Sequence, residues 1–251
     1  IFDENILNKI TNSIEPIKNF CIIEIGAGPG GLTRSILEKS PKSIIIIEKD
    51  TSFKKILLEV TDSFPKIKTT LVLDDFMKIN VNKLERFQEN KIKFLSNLPY
   101  YISTQILLKV LPFHPNVSEA SFMFQKEVAE RLIANPHTKK YSKLSVLTQY
   151  CCNIKKIFNL KSNIFYPKPD VDSCLLNFKP KKNLSIEVFN ELKKITKFAF
   201  EKRRKTIKNS LSNIEGINEL LKKLEIDEQC RAENISVEKY VNLAQKLINK
   251  N

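Results

Sequence analysis

Four of the five glycines in this 251-residue chain fall within six consecutive residues, Gly26-Ala27-Gly28-Pro29-Gly30-Gly31. The cluster follows the apolar run Cys21–Ile25 and precedes residues 32–38, where apolar positions recur with helical spacing. A strand that ends in glycines and restarts as a helix must turn tightly and bring bare backbone close to a ligand. A glycine-rich turn that binds nothing is the plainer alternative.

The rest of the chain extends this strand-loop-helix unit. Ile6, Leu7, Ile10 and Ile14 have the spacing of an amphipathic opening helix. Short β-branched runs at 21–25, 44–47, 69–73, 92–95 and 120–124 read as buried strands, with helices predicted over 32–38, 53–60 and 102–111. Such alternation builds a parallel sheet covered on both faces. Runs at 154–160 and 173–178 flank a Pro-rich loop and are expected to pair, bringing the strands to seven. After Pro180 only helical periodicity remains. The expected architecture is α/β, a Rossmann-like, mostly parallel seven-stranded sheet over residues 1–180, with a small all-helical domain over 181–251.

Composition narrows the partner. The formal net charge is +14 and the pI about 9.5, which favours polyanions. From Lys179 onward 17 Lys+Arg stand against 10 Asp+Glu, or +7 over 73 residues; the preceding 178 residues carry 25 against 18, also +7. A uniform Lys-rich bias does not explain that concentration, which points to nucleic acid. The five cysteines are odd in number and include no C-x-x-C pair, so free thiols in a reducing, cytoplasmic setting are expected, with no disulfide framework. With two histidines, no metal site is expected. No apolar run approaches the roughly 20 residues of a membrane helix, so no membrane partner is expected. Ile1-Phe2-Asp3-Glu4 carries acid where a secretory signal is basic, and the absence of an initial Met suggests further residues upstream.

The glycine loop leaves two ligands open. Gly26-x-Gly28-x-x-Gly31 fits the dinucleotide fingerprint, while Glu24, Gly26, Gly28 and Gly30 fit the E-x-G-x-G-x-G loop of class I methyltransferases. On either reading Glu48, ending the second strand, accepts hydrogen bonds from ribose hydroxyls. Asp75 follows the third strand beside Phe76, a carboxylate and ring suited to an adenine; a solvated turn is the alternative for Asp75.

Asn97-Leu98-Pro99-Tyr100, after the fourth strand, separates the two ligands. It resembles the [D/N/S]-P-P-[Y/F] box of methyltransferases that act on amines conjugated to a ring. Such an amine is a poor nucleophile with two N–H donors. The Asn97 side-chain oxygen and the Leu98 carbonyl can accept both, favouring a tetrahedral nitrogen with its lone pair aimed at a methyl group. Pro99 stiffens the turn, and Tyr100 offers a face to a flipped-out base. Orientation and acceptor placement then replace a strong general base. An ordinary Asn-x-Pro turn is the alternative.

At this point the sequence resembles the ribosomal-RNA adenine dimethyltransferase family, and within it the small-subunit (KsgA/RsmA-type) branch, over essentially the whole chain. The resemblance rests on these two boxes and on Gln125-Lys126-Glu127-Val128-Ala129 with Arg131. It continues in Tyr141-Ser142-Lys143-Leu144-Ser145-Val146 and in Phe165-Tyr166-Pro167-Lys168-Pro169-Asp170-Val171-Asp172-Ser173. It closes with Arg203-Arg204-Lys205-Thr206-Ile207-Lys208-Asn209-Ser210-Leu211 and Arg231-Ala232-Glu233-Asn234-Ile235-Ser236. It implies S-adenosyl-L-methionine as cofactor, contacted by Gly26, Glu48, Asp75 and Asn97. It also implies that Asn97, Leu98 and Tyr100 hold the target adenine, with Phe165 on its other face. Ile1 stands at the Leu position of a Gln-Asn-Phe-Leu element whose first three residues the chain lacks. The implied reaction gives N6,N6-dimethyladenosine at two adjacent adenosines of small-subunit (16S) rRNA, in the subunit or an assembly intermediate, in a role in subunit biogenesis. Lys202, Arg203, Arg204, Lys205 and Lys208 are the expected RNA contacts, a solvated helix face being the alternative. A monomer is expected. The alternatives are a large-subunit rRNA methyltransferase of the antibiotic-resistance type and a non-catalytic assembly factor; a dehydrogenase lacks any acid or base to accompany the loop.

Overall fold

A computed structural model describes residues 3–80, 91–202 and 204–249. They fall into two compact units, Ile1–Ala129 with Ile154–Pro180, and Glu130–Asn153 with Lys181–Asn251.

The first unit begins with α1 (Glu4–Asn12), whose N-cap Asp3 accepts from the amides of Asn5 and Ile6 and whose Leu7 and Ile10 turn inward. Then follow β1 (Cys21–Ile25), α2 (Gly31–Glu38), β2 (Ser43–Glu48), α3 (Lys54–Asp62), β3 (Lys68–Leu73), β4 (Ile92–Asn97), α4 (Ser103–Val110) and β5 (Val117–Gln125). After α5 (Lys126–Leu132) and α6 (Lys143–Cys151), β6 (Cys152–Leu160) and β7 (Ser173–Pro180) complete a seven-stranded sheet. Its order is β3-β2-β1-β4-β5-β7-β6. The pairs β3–β2, β2–β1, β1–β4 and β4–β5 are parallel, and β7 runs antiparallel to β5. Every residue of β1 and β2 is buried, as Ile-rich strands covered on both faces require. From β1 the chain winds outward through β2 to the edge strand β3, then returns to lay β4 along the other side of β1. Strand order therefore reverses between β1 and β4. In an open α/β sheet the crevice at the carboxyl ends of such a strand pair is where ligands bind.

A buried lysine fixes β4 beside this crevice. Lys93 donates to the carbonyls of Ile14 (2.6 Å) and Pro16 (2.9 Å), pairs with Glu119 at 2.7 Å and lies over the Phe20 ring. Each N–H of the ammonium thus has an acceptor, the condition under which a charge is tolerated in a core.

The second unit contains α6, α7 (Ile186–Glu201), α8 (Ile207–Ser210), α9 (Ile217–Lys223) and α10 (Val237–Ile248). Ser185, Thr206 and Ser236 cap α7, α8 and α10 through their hydroxyls. Tyr141, Phe200 and Tyr240 form a ring chain with centroids 6.1 and 6.0 Å apart, and the Tyr240 hydroxyl donates to the Ala232 carbonyl. Burial pushes the Tyr141 phenol well up from its ordinary value.

The seven predicted strands form, each within three residues of its expected limits. The single boundary after residue 180 is replaced by three crossings, because residues 130–153 cluster with the C-terminal helices. α5 and α6 escaped the periodicity analysis. In α6 seven of nine residues are buried, Leu144 to Thr148 without interruption, so there is no polar stripe to mark a helical period. All five cysteines are free thiols, and burial raises that of Cys151 to about 12. Among the described residues no helix is long and apolar enough to cross a membrane.

Candidate active site

The two sequence boxes meet at the reversal point. Gly26 leaves β1 with φ +73°, and its amide donates to the Ile47 carbonyl at 2.8 Å. A Cβ on Gly26 would lie 3.1 Å from Pro99 Cδ, so the ring of the Asn97–Tyr100 box occupies the space a side chain would need. This packing explains why glycine stands here, and it holds the first loop against the end of β4.

Beside this contact opens a cavity of about 350 Å³. Its apolar walls include Ile25, Ile47, Phe76, Ile102 and Ile106; its polar groups include Glu48, Lys49, Asp50 and Asp75. The Glu48 carboxylate is held by two amides, Gly28 N on Oε2 and Asp50 N on Oε1, each at 2.8 Å. Two of its roughly four acceptor directions stay open toward a ligand. Asp75 accepts from Met77 N at 2.9 Å and pairs with Lys49 at 3.0 Å; the Lys49 hydrogen bond leads in holding the carboxyl below its usual range. An apolar slot with a fixed carboxylate at each end suits a nucleoside: the base meets the walls and the ribose hydroxyls meet an acceptor.

At the end of β4, Asn97 Oδ1 is buried without a hydrogen-bond partner. An orphaned acceptor costs about 1–3 kcal/mol, and a native chain keeps one where a ligand supplies the donor. Leu98 is buried, and Pro99 leads into a short 3₁₀ turn over Tyr100–Ile102. The Tyr100 hydroxyl hydrogen-bonds Ser173 Oγ, and burial raises its phenol. The ring is thus fixed, not swinging.

A profile of the family described as ribosomal RNA adenine dimethylase matches residues 1–249. The chain belongs to that family. It is 38% identical over 246 residues to ribosomal RNA small subunit methyltransferase A of Buchnera aphidicola subsp. Baizongia pistaciae, covering 97% of this chain and 92% of that one. The Francisella tularensis subsp. novicida protein of the same name is also 38% identical, over 96% and 92% of the two chains. Among solved structures, a dimethyladenosine transferase from Plasmodium falciparum superposes with a TM-score of 0.82 at 24% identity, over 99% of this chain and 97% of that one. The 23S rRNA methyltransferase ErmE gives 0.71 at 20% identity, over 98% of each chain. This member of the dimethylase family is therefore a methyltransferase with the Rossmann-like fold of the class.

Of the residues singled out in the sequence, Gly26, Glu48, Asp75, Phe76 and Pro99 line the cavity of this methyltransferase. Others stand elsewhere. Glu24 is 1% exposed and lies behind the loop, where Thr33 Oγ1 donates to it at 2.6 Å. Desolvation, lessened by that bond and deepened by the charge of Glu48, raises its carboxyl to about 8. Gly30 caps α2 at φ +83°, and a Cβ there would meet Leu57 and Val60 at 3.2–3.3 Å, a packing role. Phe165, 9% exposed, belongs to an apolar cluster with Leu7, Ile10, Leu160 and Leu175, away from the lining of the cavity. In the second unit Lys202, Arg204 and Lys205 are exposed, whereas Lys208 is paired with Glu228 at 2.7 Å. Ile1 and Arg203 lie outside the described residues.

Sequence reasoning missed Lys49, Asp50, Asp74, Tyr101, Ile102 and Ile106 in the lining. Their proximity to the motif boxes was the available signal: Lys49 follows Glu48, Asp74 precedes Asp75, and Tyr101 follows Tyr100. Tyr101 is 76% exposed at this cavity, a large aromatic surface in water.

Proposed function

We propose that the chain transfers methyl groups from S-adenosylmethionine to the N6 amines of two adjacent adenosines in small-subunit rRNA, giving N6,N6-dimethyladenosine. The observation that carries this reading is the unpartnered Asn97 Oδ1 beside the Gly26–Pro99 contact. The relatives' shared name, ribosomal RNA small subunit methyltransferase A, supports the substrate class.

The residues present fit the cofactor. Glu48 would accept from the ribose hydroxyls and Asp75 from the adenine amine, with Phe76 and Ile102 against the base. Gly26, having no side chain, would let the remainder approach the backbone. When bound, S-adenosylmethionine supplies an electrophilic methyl on a sulfonium leaving group. Asn97 Oδ1 and the Leu98 carbonyl would then accept both N–H groups of the target amine. That turns the nitrogen toward a tetrahedral shape and aims its lone pair outward. Tyr100, anchored through Ser173, would stack on the flipped base. Neutral acceptors suit repetition, because a monomethylated amine keeps one N–H and a usable lone pair. Phe165 would have to turn out of its apolar cluster to cover the other face of the base. Exposed Lys202, Arg204 and Lys205, with Arg203, would meet RNA phosphates, while Lys208 would first have to leave Glu228.

Tritiated methyl transfer to purified small subunits lacking the modification, with large subunits alongside, tests the proposal. Label confined to the small subunit and recovered as dimethyladenosine is the expected result. Label in the large subunit instead would move the substrate to the resistance type. No label despite cofactor binding would leave an assembly factor.

A further inference from the structure

The string Tyr141–Val146 has no part in the reaction above, yet its lysine opens a cationic seam. Lys143 is the first residue of α6, which packs on α7 within the second unit. Near the far end of α6, Tyr150 stacks on Phe189 of α7, ring centroids 6.3 Å apart and 10° from parallel. From Phe189, Lys193 and Lys197 follow at successive turns on one face of α7, and the Lys193 ammonium lies 5.0 Å from the Phe189 ring centroid. From Tyr150, Lys143 stands two turns back along α6. The two helices thus bring three lysines to one seam, with Lys143 half-buried and the other two exposed.

Nothing in the chain neutralises them. Among the described residues none of the three forms an ion pair, and Glu191 on α7 is taken by Lys194 at 2.9 Å. Neither Lys143 nor Lys193 has an acid three or four residues away. Burial, then the charges of Lys197 and Lys193, hold the Lys143 ammonium below its ordinary range. The positive amino end of α6 adds to the repulsion. Gathered like charges destabilise a fold, and an external anion relieves the repulsion. The surroundings favour a phosphate backbone over an acidic protein. A protein partner needs an apolar centre, and Ile186 is the one large apolar side chain well exposed among the described residues of this unit.

We propose that Lys143, Lys193 and Lys197 form a docking surface for RNA phosphates, additional to the Lys202–Lys208 run; that the RNA is ribosomal rests on the function proposed above. The test is a K143Q/K193Q/K197Q variant of the full chain, titrated with a transcript of the 3′ end of small-subunit rRNA between about 50 and 200 mM salt. The slope of log K against log salt is expected to shrink in magnitude by about 2–3, roughly one per lost phosphate contact. A K143R/K193R/K197R variant should keep the slope, and relief of repulsion should leave the Tm of the Gln variant unchanged or raised. If the triple variant folds poorly, K193Q/K197Q alone, both exposed, should lower the slope by about 2. An unchanged slope in a folded variant overturns the proposal. Methyl transfer by the unaltered chain is read in parallel. A lowered slope without transfer keeps the docking surface and removes the reaction; transfer with an unchanged slope does the reverse.

Discussion

Asn97 is the residue at which stability and function separate. Its buried Oδ1 has no partner, so the folded chain carries the desolvation cost without the bond. Replacing Asn97 with Ala removes that orphan, and the thermal unfolding midpoint should hold or rise. If Oδ1 accepts from the target amine, the same change should lower the rate of methyl transfer by about 100-fold or more, the scale seen when one electrostatic contact to a reacting group is removed. Thermal unfolding and initial rates on small subunits measure the two effects together. A near-normal rate would take Asn97 out of the site, and a large fall in midpoint would mean that Oδ1 supports the fold. The side-chain type was legible in the sequence because it sits in a motif. The orphaned atom was not, since only the packing around β4 decides whether water or another donor reaches it.

One step up in scale, the β1–α2 connection carries its own titration. Glu24 ends against Thr33 in α2, and burial raises its carboxyl to about 8, so the folded chain holds a proton at neutral pH. The unfolded chain releases that proton near 4.5. Between these values the native state binds more protons than the unfolded one, and stability falls as pH rises. The contribution is fully present below about 4.5 and has gone above about 8. Glu24→Gln keeps the shape and an acceptor for Thr33 but cannot ionise. Its Tm should therefore vary less across this window and exceed the wild-type value above pH 8. Equal pH profiles for the two proteins would show that Glu24 does not titrate on folding. The strand was legible because Ile22, Ile23 and Ile25 leave no alternative to burial; the glutamate between them looked like a ligand residue because its motif is one. What distinguishes an inner-layer carboxylate from a ligand-facing one is side-chain direction, which alternates along a strand and is not written in the motif. Glu48 and Asp75 escaped this ambiguity by standing at strand ends, where the carboxyl ends of a parallel sheet open.

For the whole molecule, the legible boundary was the composition change at Pro180, and it misplaced one element. Residues 130–153 belong with the C-terminal helices although β6 and β7 follow them in sequence. The bonds that tie this segment in are specific. Tyr150 donates to the Ser185 carbonyl at 3.1 Å, Lys181 N donates to the Cys151 carbonyl at 2.8 Å, and Lys181 Nζ donates to the Gln149 carbonyl at 2.7 Å. Leu144, Val146, Leu147 and Tyr150 are buried, and α7 and α10 are the helices against which α6 packs. A fragment ending at residue 180 would keep α6 while removing both. Each large apolar side chain then returned to water forgoes about 1.5–3 kcal/mol, against a net stability of about 5–15 kcal/mol for a typical domain. Fragment 1–180 is therefore expected to bind a hydrophobic dye or aggregate, and to unfold over a broad temperature range. If it unfolds sharply without binding dye, the cut at Pro180 is a true domain boundary, and the grouping of α6 with α7 and α10 is contact without dependence.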